Sequence, residues 1–291
     1  MPQTTRSPVS TQLLIIDPQN DFCDLPDDRC PLDARTGQRV APALPVKGAH
    51  ADMQRLARFI GKHCARIDGI TVTLDSHQRY DVAHPSFWQR RDGSEVPPFT
   101  PILAKEVRDG SYAPRDPRAL QRVLAYMDAL ETQGRYVLMV WPVHCVIGSW
   151  GHGVHADVLA ACDEWQVTQR QAVRNVFKGM SPWTEHYSAI KAEVPDRDDP
   201  ETDVNERLLR DLAKADRLVV GGEASSHCVR ATVEDIVHFL PKLSPDWTPQ
   251  RLVLLSDCMS PVQGFEREHA AFLDSMHTRG VQLAQSSELP F

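Results

Sequence analysis

Short apolar runs rich in β-branched residues and leucine recur along this 291-residue chain, and they constrain its fold more than any other feature. They are Leu13–Ile16, Ile70–Leu74, Val137–Trp141, part of Val167–Val176, Leu218–Val220 and Leu252–Leu255. Between most of them lie stretches of helical period. Met53, Leu56, Ala57 and Ile60 form one, and Leu120, Val123, Leu124, Met127 and Leu130 a second. Leu208, Leu209 and Leu212 form another, as do Val229, Val233, Ile236, Val237 and Leu240, and then Ala270, Ala271, Leu273 and Met276. Continuous apolar strands that alternate with helices predict an α/β fold with a mostly parallel sheet covered on both faces. In such sheets ligands bind outside the carboxyl ends of the strands.

Those strand ends carry chemistry. The first run ends in Asp17, the second in Asp75-Ser76-His77, and the run at Val137 in Trp141-Pro142-Val143-His144-Cys145. The run through Val176 ends in Phe177-Lys178-Gly179, the one at Leu218 leads to Cys228, and the last ends in Asp257-Cys258. Cys228 stands where a helix should begin, with Ser225 or Ser226 as its cap and Pro241 as its stop. A thiol there feels the positive end of the helix dipole, which favours the nucleophilic thiolate. A buried structural cysteine is the commoner fate of a lone Cys, and the other strand ends tip the balance.

Each of those ends is ambiguous by itself. Asp17 can be a general base, although Asp-Pro-Gln-Asn alone reads better as a turn. In extended chain, Asp75 and His77 share a face and can meet one metal ion, with His84 and His144 completing the shell. Carboxylate plus imidazole without thiolate suits an open catalytic zinc, iron or manganese site. Solvated loop histidines explain the Asp-x-His pair alone equally well. Lys178 can hold an aspartate ionised and stabilise developing negative charge. Gly221, Gly222, Ala224, Ser225 and Ser226 are small enough to let a substrate approach backbone N–H groups near Cys228.

Composition excludes several functions. The formal net charge is -7 and no Lys/Arg block is present, which argues against a nucleic-acid surface. No apolar run is long enough to span a membrane. Seven cysteines are scattered without paired spacing, and residues 1–10 are polar, which together lead to an expectation of a reduced, cytoplasmic home. Residues 23–48, 85–118 and 194–204 are proline-containing and irregular. They read as surface excursions or lids on one domain, not as linkers between two.

Taken together, six motifs in order resemble the nicotinamidase and isochorismatase-like cysteine hydrolase superfamily. They are Leu14-Ile15-Ile16-Asp17-Pro18-Gln19-Asn20-Asp21-Phe22, Asp75-Ser76-His77, His84-Pro85-Ser86-Phe87, Trp141-Pro142-Val143-His144-Cys145, Phe177-Lys178-Gly179 and Ser226-His227-Cys228-Val229-Arg230-Ala231-Thr232. The resemblance runs from Leu13 to about Asp257. It implies one Rossmann-like three-layer α/β/α domain over residues 1–291, with insertions near 23–48, 85–134 and 194–204. It makes Asp17 the base, Lys178 its partner and Cys228 the nucleophile, and it implies a cis peptide between Glu223 and Ala224 with an oxyanion hole from the N–H groups of Ala224 and Cys228. Phe22, Trp141 and Tyr187 would flank a substrate ring. The metal-containing nicotinamidase branch is the one that looks like this chain, with Asp75, His77, His144 and His84 as ligands to a divalent ion, zinc before iron or manganese.

The function that follows is an amidase that turns nicotinamide into nicotinate with loss of ammonia, as in NAD metabolism. Its partner is a small-molecule amide, and relatives commonly form homo-oligomers. The chain departs from a compact nicotinamidase in the insertions beside Phe22 and beside the metal motif. These keep a second reading open, a hydrolase acting on a ureido or carbamoyl compound. A non-catalytic binding relative and an isochorismatase-type ether hydrolase are the remaining alternatives.

Overall fold

The structure is a computed structural model, and it describes residues 9–290. The elements in chain order are β1 (Thr11–Ile16), α1 (Ala49–His63), β2 (Gly69–Asp75), β3 (Trp88–Arg90), β4 (Thr100–Ile102), α2 (Ala104–Arg108), β5 (Tyr112–Pro114), α3 (Leu120–Gln133) and β6 (Leu138–Val140). They continue with α4 (Ala156–Gln169), β7 (Arg174–Lys178), α5 (Glu206–Leu212), β8 (Arg217–Gly222), α6 (Cys228–Leu243), β9 (Leu252–Leu255), α7 (Glu266–Thr278) and β10 (Gln282–Ala284).

Six strands form one sheet in the order β10-β9-β8-β1-β2-β7, and every pairing in it is parallel. Helices cover both sides, with α1 packed on α4 and α5 packed on α6, which makes the predicted three-layer α/β/α arrangement. The central strands are apolar on both faces because both faces are covered: Leu13 through Ile16, Leu218 through Val220 and Leu252 through Leu255 are all buried. Among the described residues no helix is long and apolar enough to cross a membrane.

Register sets where the chemistry falls. Asp75 pairs with Lys178 across β2 and β7, and Ile16 pairs with Gly222 across β1 and β8. The carboxyl ends of four strands therefore converge on one edge. Gly222 has φ 129°, and a Cβ there would lie 2.0 Å from the Ile16 carbonyl oxygen. Only glycine lets the chain turn away from the sheet this close to β1.

Several expectations need correction. The Val137–Trp141 run is not a strand of the main sheet, since β6 pairs antiparallel with β4 in a separate ribbon. Residues 85–118 are not irregular: they hold β3, β4, α2 and β5, each too short to show a period. With α3 they build a second core around Phe87, Trp88, Val96, Ile102, Val107 and Met127. Val167 belongs to α4, and the strand begins only at Arg174. Neither Ser225 nor Ser226 caps α6; His227 is the N-cap residue and makes no side-chain cap bond. Ser226 Oγ instead accepts the Val262 N–H and pairs with His227, while Ser225 Oγ pairs with His269. Pro241 lies inside α6, which runs on to Leu243. β10 has no apolar run to announce it, as Gln282 and Leu283 are exposed.

Gly222→Ala should strain the backbone and force apart β1 and β8. We expect a loss of at least about 2 kcal/mol of stability, read from the urea midpoint; a midpoint equal to wild type would contradict the packing at this turn.

Candidate active site

The site is built from strand ends. Asp17 follows β1 with its backbone in the left-handed region at φ 44°, a conformation costly for a residue with a side chain. Thr73 on β2 compensates. Its hydroxyl donates to Asp17 Oδ1 at 2.6 Å, and its carbonyl accepts the Asp17 N–H at 3.2 Å. Asp17 is 0% exposed.

Lys178 is the hub. Its ammonium lies 2.9 Å from Asp17 Oδ2 and 3.0 Å from Asp75 Oδ1, and it donates to the His186 carbonyl at 3.1 Å. It reaches Cys228 Sγ at 3.6 Å. Burial alone would push the ammonium to lose its proton, but Asp17 and Asp75 outweigh that and hold it charged well above the ordinary lysine range. Gly179 follows with φ 79°, and a Cβ there would crowd Asp75 Oδ1 at 2.9 Å.

Cys228 opens α6 and is buried. The helix start does not win its proton. Burial pushes the thiol well above the usual thiol range, Lys178 pulls it back, and Asp17 and Asp75 push it up again. Cys228 Sγ and Asp17 Oδ2 both meet the Lys178 ammonium, at 3.6 and 2.9 Å, so the thiol stands beside the carboxyl that can take its proton. Burial also raises Asp17, with Lys178 opposing, which makes it a stronger base than a solvated aspartate. The helix start favours thiolate, and desolvation by burial opposes it, which leaves Asp17 to accept the proton.

The peptide between Glu223 and Ala224 is cis. Among the described residues neither the Ala224 N–H nor the Cys228 N–H has a hydrogen-bond partner. Two free donors beside a nucleophile can receive an oxyanion.

Asp75, His77, His84 and His144 come together as expected. Asp75 Oδ2 lies 3.1 Å from His77 Nε2 and 3.4 Å from His144 Nε2, and one ligand nitrogen from each of the three buried histidines falls within 4.8 Å of the others. Each ring also has an outer partner for its Nδ1. His77 Nδ1 meets Asp81 Oδ2 at 3.0 Å, His84 Nδ1 meets the Gln78 carbonyl at 3.2 Å, and His144 Nδ1 meets the Pro142 carbonyl at 2.8 Å. The Nε2 atoms of His77 and His144 both face Asp75 Oδ2, while His84 Nε2 lies 3.3 Å from His144 Nδ1; outer partners of this kind orient histidine ligands. The four donors, one carboxylate and three imidazoles, therefore fit a divalent transition metal.

Loops deliver these residues. The segment after β6 runs beside the end of β2, where the His77 N–H donates to the Cys145 carbonyl at 3.0 Å and the Ile147 N–H to the His77 carbonyl at 3.1 Å. Asp21 ties that segment down by accepting the Cys145 N–H at 2.7 Å. Gln19 brackets Asp75, accepting its N–H at 2.7 Å and donating to its carbonyl at 2.8 Å.

Phe22, Trp141 and Tyr187 all line the pocket over Cys228, together with Leu44, Glu185, His227 and Val262. Trp141 Nε1 donates to the Tyr187 hydroxyl at 2.9 Å. The cavity is about 20 Å³, room for about one water. His227 and Tyr187 also face a wider cavity of about 310 Å³, bordered by Arg135, Tyr136, Arg230 and Phe265. Asp257 and Cys258 do not reach the pocket; the Cys258 carbonyl accepts the Gly222 N–H at 2.9 Å and braces the turn from behind. Residues that sequence reasoning missed include Asp81, three positions before His84, and Thr73, which shares a strand face with Asp75. Glu185 and His227 stood beside residues already singled out, with nothing in their spacing to mark them.

Comparison with solved structures places the fold. A nicotinamidase/pyrazinamidase of Acinetobacter baumanii has a TM-score of 0.61 at 18% identity over 98% of this chain and 100% of its own. The L. infantum PnC1 structure in complex with nicotinate has a TM-score of 0.56 at 21% identity over 99% and 98%. A Pyrococcus horikoshii pyrazinamidase in complex with zinc has a TM-score of 0.51 at 17% identity over 95% and 99%. At such identities the likeness is one of fold, and it spans whole chains. No protein-family model and no curated protein matches the sequence.

Lys178→Met would leave Asp17 and Asp75 buried without their cation. We expect a loss of roughly 3–5 kcal/mol in chemical denaturation, and a stability within error of wild type would contradict the hub. Asp81→Asn should weaken metal uptake about 10-fold or more in equilibrium dialysis against zinc, and unchanged uptake would contradict its orienting role.

Proposed function

We propose that this chain is a metal-dependent cysteine amidase of the nicotinamidase and isochorismatase-like superfamily, hydrolysing a small amide with release of ammonia, with nicotinamide to nicotinate as the leading pair. One observation carries the reading: a single buried ammonium touches Asp17, Asp75 and Cys228, beside two N–H groups with no partner among the described residues. The shared fold with nicotinamidases and pyrazinamidases supports it.

In this mechanism Asp17 accepts the proton of Cys228 as sulfur attacks the amide carbonyl carbon. The carbonyl oxygen becomes an oxyanion held by the N–H groups of Ala224 and Cys228. Asp17 returns the proton to the departing nitrogen, ammonia leaves, and a thioester remains. Asp17 then takes a proton from water as the water attacks the thioester and returns it to the departing Cys228 sulfur, and the acid product leaves as its carboxylate, its own proton passing to solvent. Lys178 keeps Asp17 oriented and near the charge state each step needs. Phe22, Trp141 and Tyr187 clamp the planar substrate.

Asp75, His77, His84 and His144 would hold the divalent ion. Zinc is the first candidate, because a neighbour of the same fold is described in complex with it. When bound, such an ion supplies a Lewis acid toward a ring nitrogen or water.

The wider cavity beyond His227 favours a second reading, a larger amide such as a ureido or carbamoyl compound whose extension occupies that space. Initial rates on a panel of amides separate the two. A higher kcat/KM for nicotinamide supports the first, and a poor rate with nicotinamide beside a good one with a larger amide supports the second.

Cys228→Ala should lower kcat for ammonia release from nicotinamide by at least about 1000-fold while leaving the unfolding midpoint close to wild type. Substantial remaining turnover would sink the covalent route. Metal analysis of the same preparations should find about one divalent ion per chain, and a metal-free active enzyme would sink the metal assignment.

A further inference from the structure

Outside the pocket lining, the turn that carries Ala224 and Cys228 rests on an acid pair that the mechanism does not use. Glu223 directly precedes Ala224 and is 0% exposed. Its Oε2 accepts the Ser260 N–H at 3.1 Å, whereas its Oε1 has no conventional donor among the described residues. Ser260 also holds the carboxyl of Asp52 on α1, which is itself 2% exposed, so one serine brings two buried acids together. Asp52 accepts the Ser260 hydroxyl on Oδ2 at 2.5 Å and pairs with Arg55 through Oδ1. Ser260 closes the circuit by accepting the Ser225 N–H at 2.9 Å. One serine thus touches the turn backbone, Glu223 and Asp52.

Two buried carboxyl groups can bond to each other only by sharing a proton. Arg55 is the cation in contact with the pair, and it touches Asp52. Glu223, which lacks such a cation among the described residues, is therefore the member placed to carry the proton.

We propose that Glu223 serves as a carboxylic acid that donates to Asp52, and that this bond is a positioning device holding the Ala224 N–H where the oxyanion forms. The proposal deepens the amidase reading and, for its kinetic part, rests on it. Burial and then the charge of Asp52 hold the Glu223 carboxyl well above the ordinary carboxylate range, against the pull of the Ser260 N–H. The groups facing the pair are Asp52 and Arg55 on α1, Asp24 and Cys23 from the loop after Phe22, Asp257 after β9, and His269 on α7 beside Ser225. Asp24 adds further negative charge against ionisation of Glu223, while its own oxygens accept the Gly48 and His50 N–H groups.

The consequence is a loss of order at alkaline pH. A carboxyl whose pKa is raised by folding contributes fully at pH below its unfolded value, and that contribution is lost as pH rises toward the folded value. Ionised Glu223 would then repel Asp52 and push the turn out of line.

Glu223→Gln and Glu223→Leu test this. Glutamine can donate to Asp52 and accept from Ser260 without ionising, whereas leucine can do neither. We expect Glu223→Gln to keep kcat for nicotinamide within about threefold of wild type, and Glu223→Leu to lose about 10-fold or more in kcat with KM within about twofold. A wild-type kcat in Glu223→Leu, or an equal loss in both variants, would overturn the positioning role. Thermal melts from about pH 6 to about pH 9 provide a readout that needs no turnover. Wild type should lose about 3 °C or more beyond what Glu223→Gln loses, and parallel curves would overturn the shared proton. If no amide is hydrolysed, the amidase reading fails while the melts still decide the acid pair.

Discussion

The buried Lys178 ammonium is the interaction on which the rest of this site depends. Two carboxylates and a thiol could not be gathered at the sheet edge without a cation, because unpaired buried charges cost several kcal/mol each. Lys178 meets Asp17 at 2.9 Å and Asp75 at 3.0 Å, and so joins the half of the site that would move protons to the half that would hold a metal ion. The parallel register places it there, since Asp75 and Lys178 are direct partners across β2 and β7. The same cation opposes the burial that raises the Asp17 carboxyl, and so favours its ionised form, the one a proton acceptor requires.

Around that hub the structure spends hydrogen bonds on orientation. Thr73 fixes Asp17, Gln19 and Asp21 fix the loops bearing Asp75 and His144, and Asp81 fixes His77. The turn at Ala224 is fixed from the opposite side by Ser260, Asp52 and Glu223. The groups on strand ends and loops thus inherit the rigidity of the sheet, which is what the proposed chemistry needs. The tight pocket and the wider cavity past His227 are both walled by side chains above the sheet.

How legible this was from sequence depends on the range of each constraint. β1, β2, β8 and β9 were legible because a strand buried on both faces must be apolar throughout, and Asp17, Asp75, Lys178 and Cys228 were legible because they interrupt that pattern at its ends. The segment from Pro85 to Pro114 was not, since three-residue strands and a five-residue helix carry no period and are stabilised by their mutual packing. The β6 run was misread because an apolar strand does not encode its partner. For Cys228 the helix start is local and visible, whereas the desolvation and two carboxylates that raise its thiol come from residues far away in sequence. Glu223 and Asp52 are separated by most of the chain, and nothing in either neighbourhood announces the pair.

The central claim is that Cys228 is a covalent nucleophile toward an amide. Acid-quenched intact-protein mass spectrometry during turnover tests it most directly. The account predicts an added mass equal to the acyl group of the substrate, mapped to the peptide bearing Cys228 and absent in Cys228→Ala. Steady turnover with that peptide unmodified at every quench time, and a Cys228→Ala variant that still turns over, would contradict it.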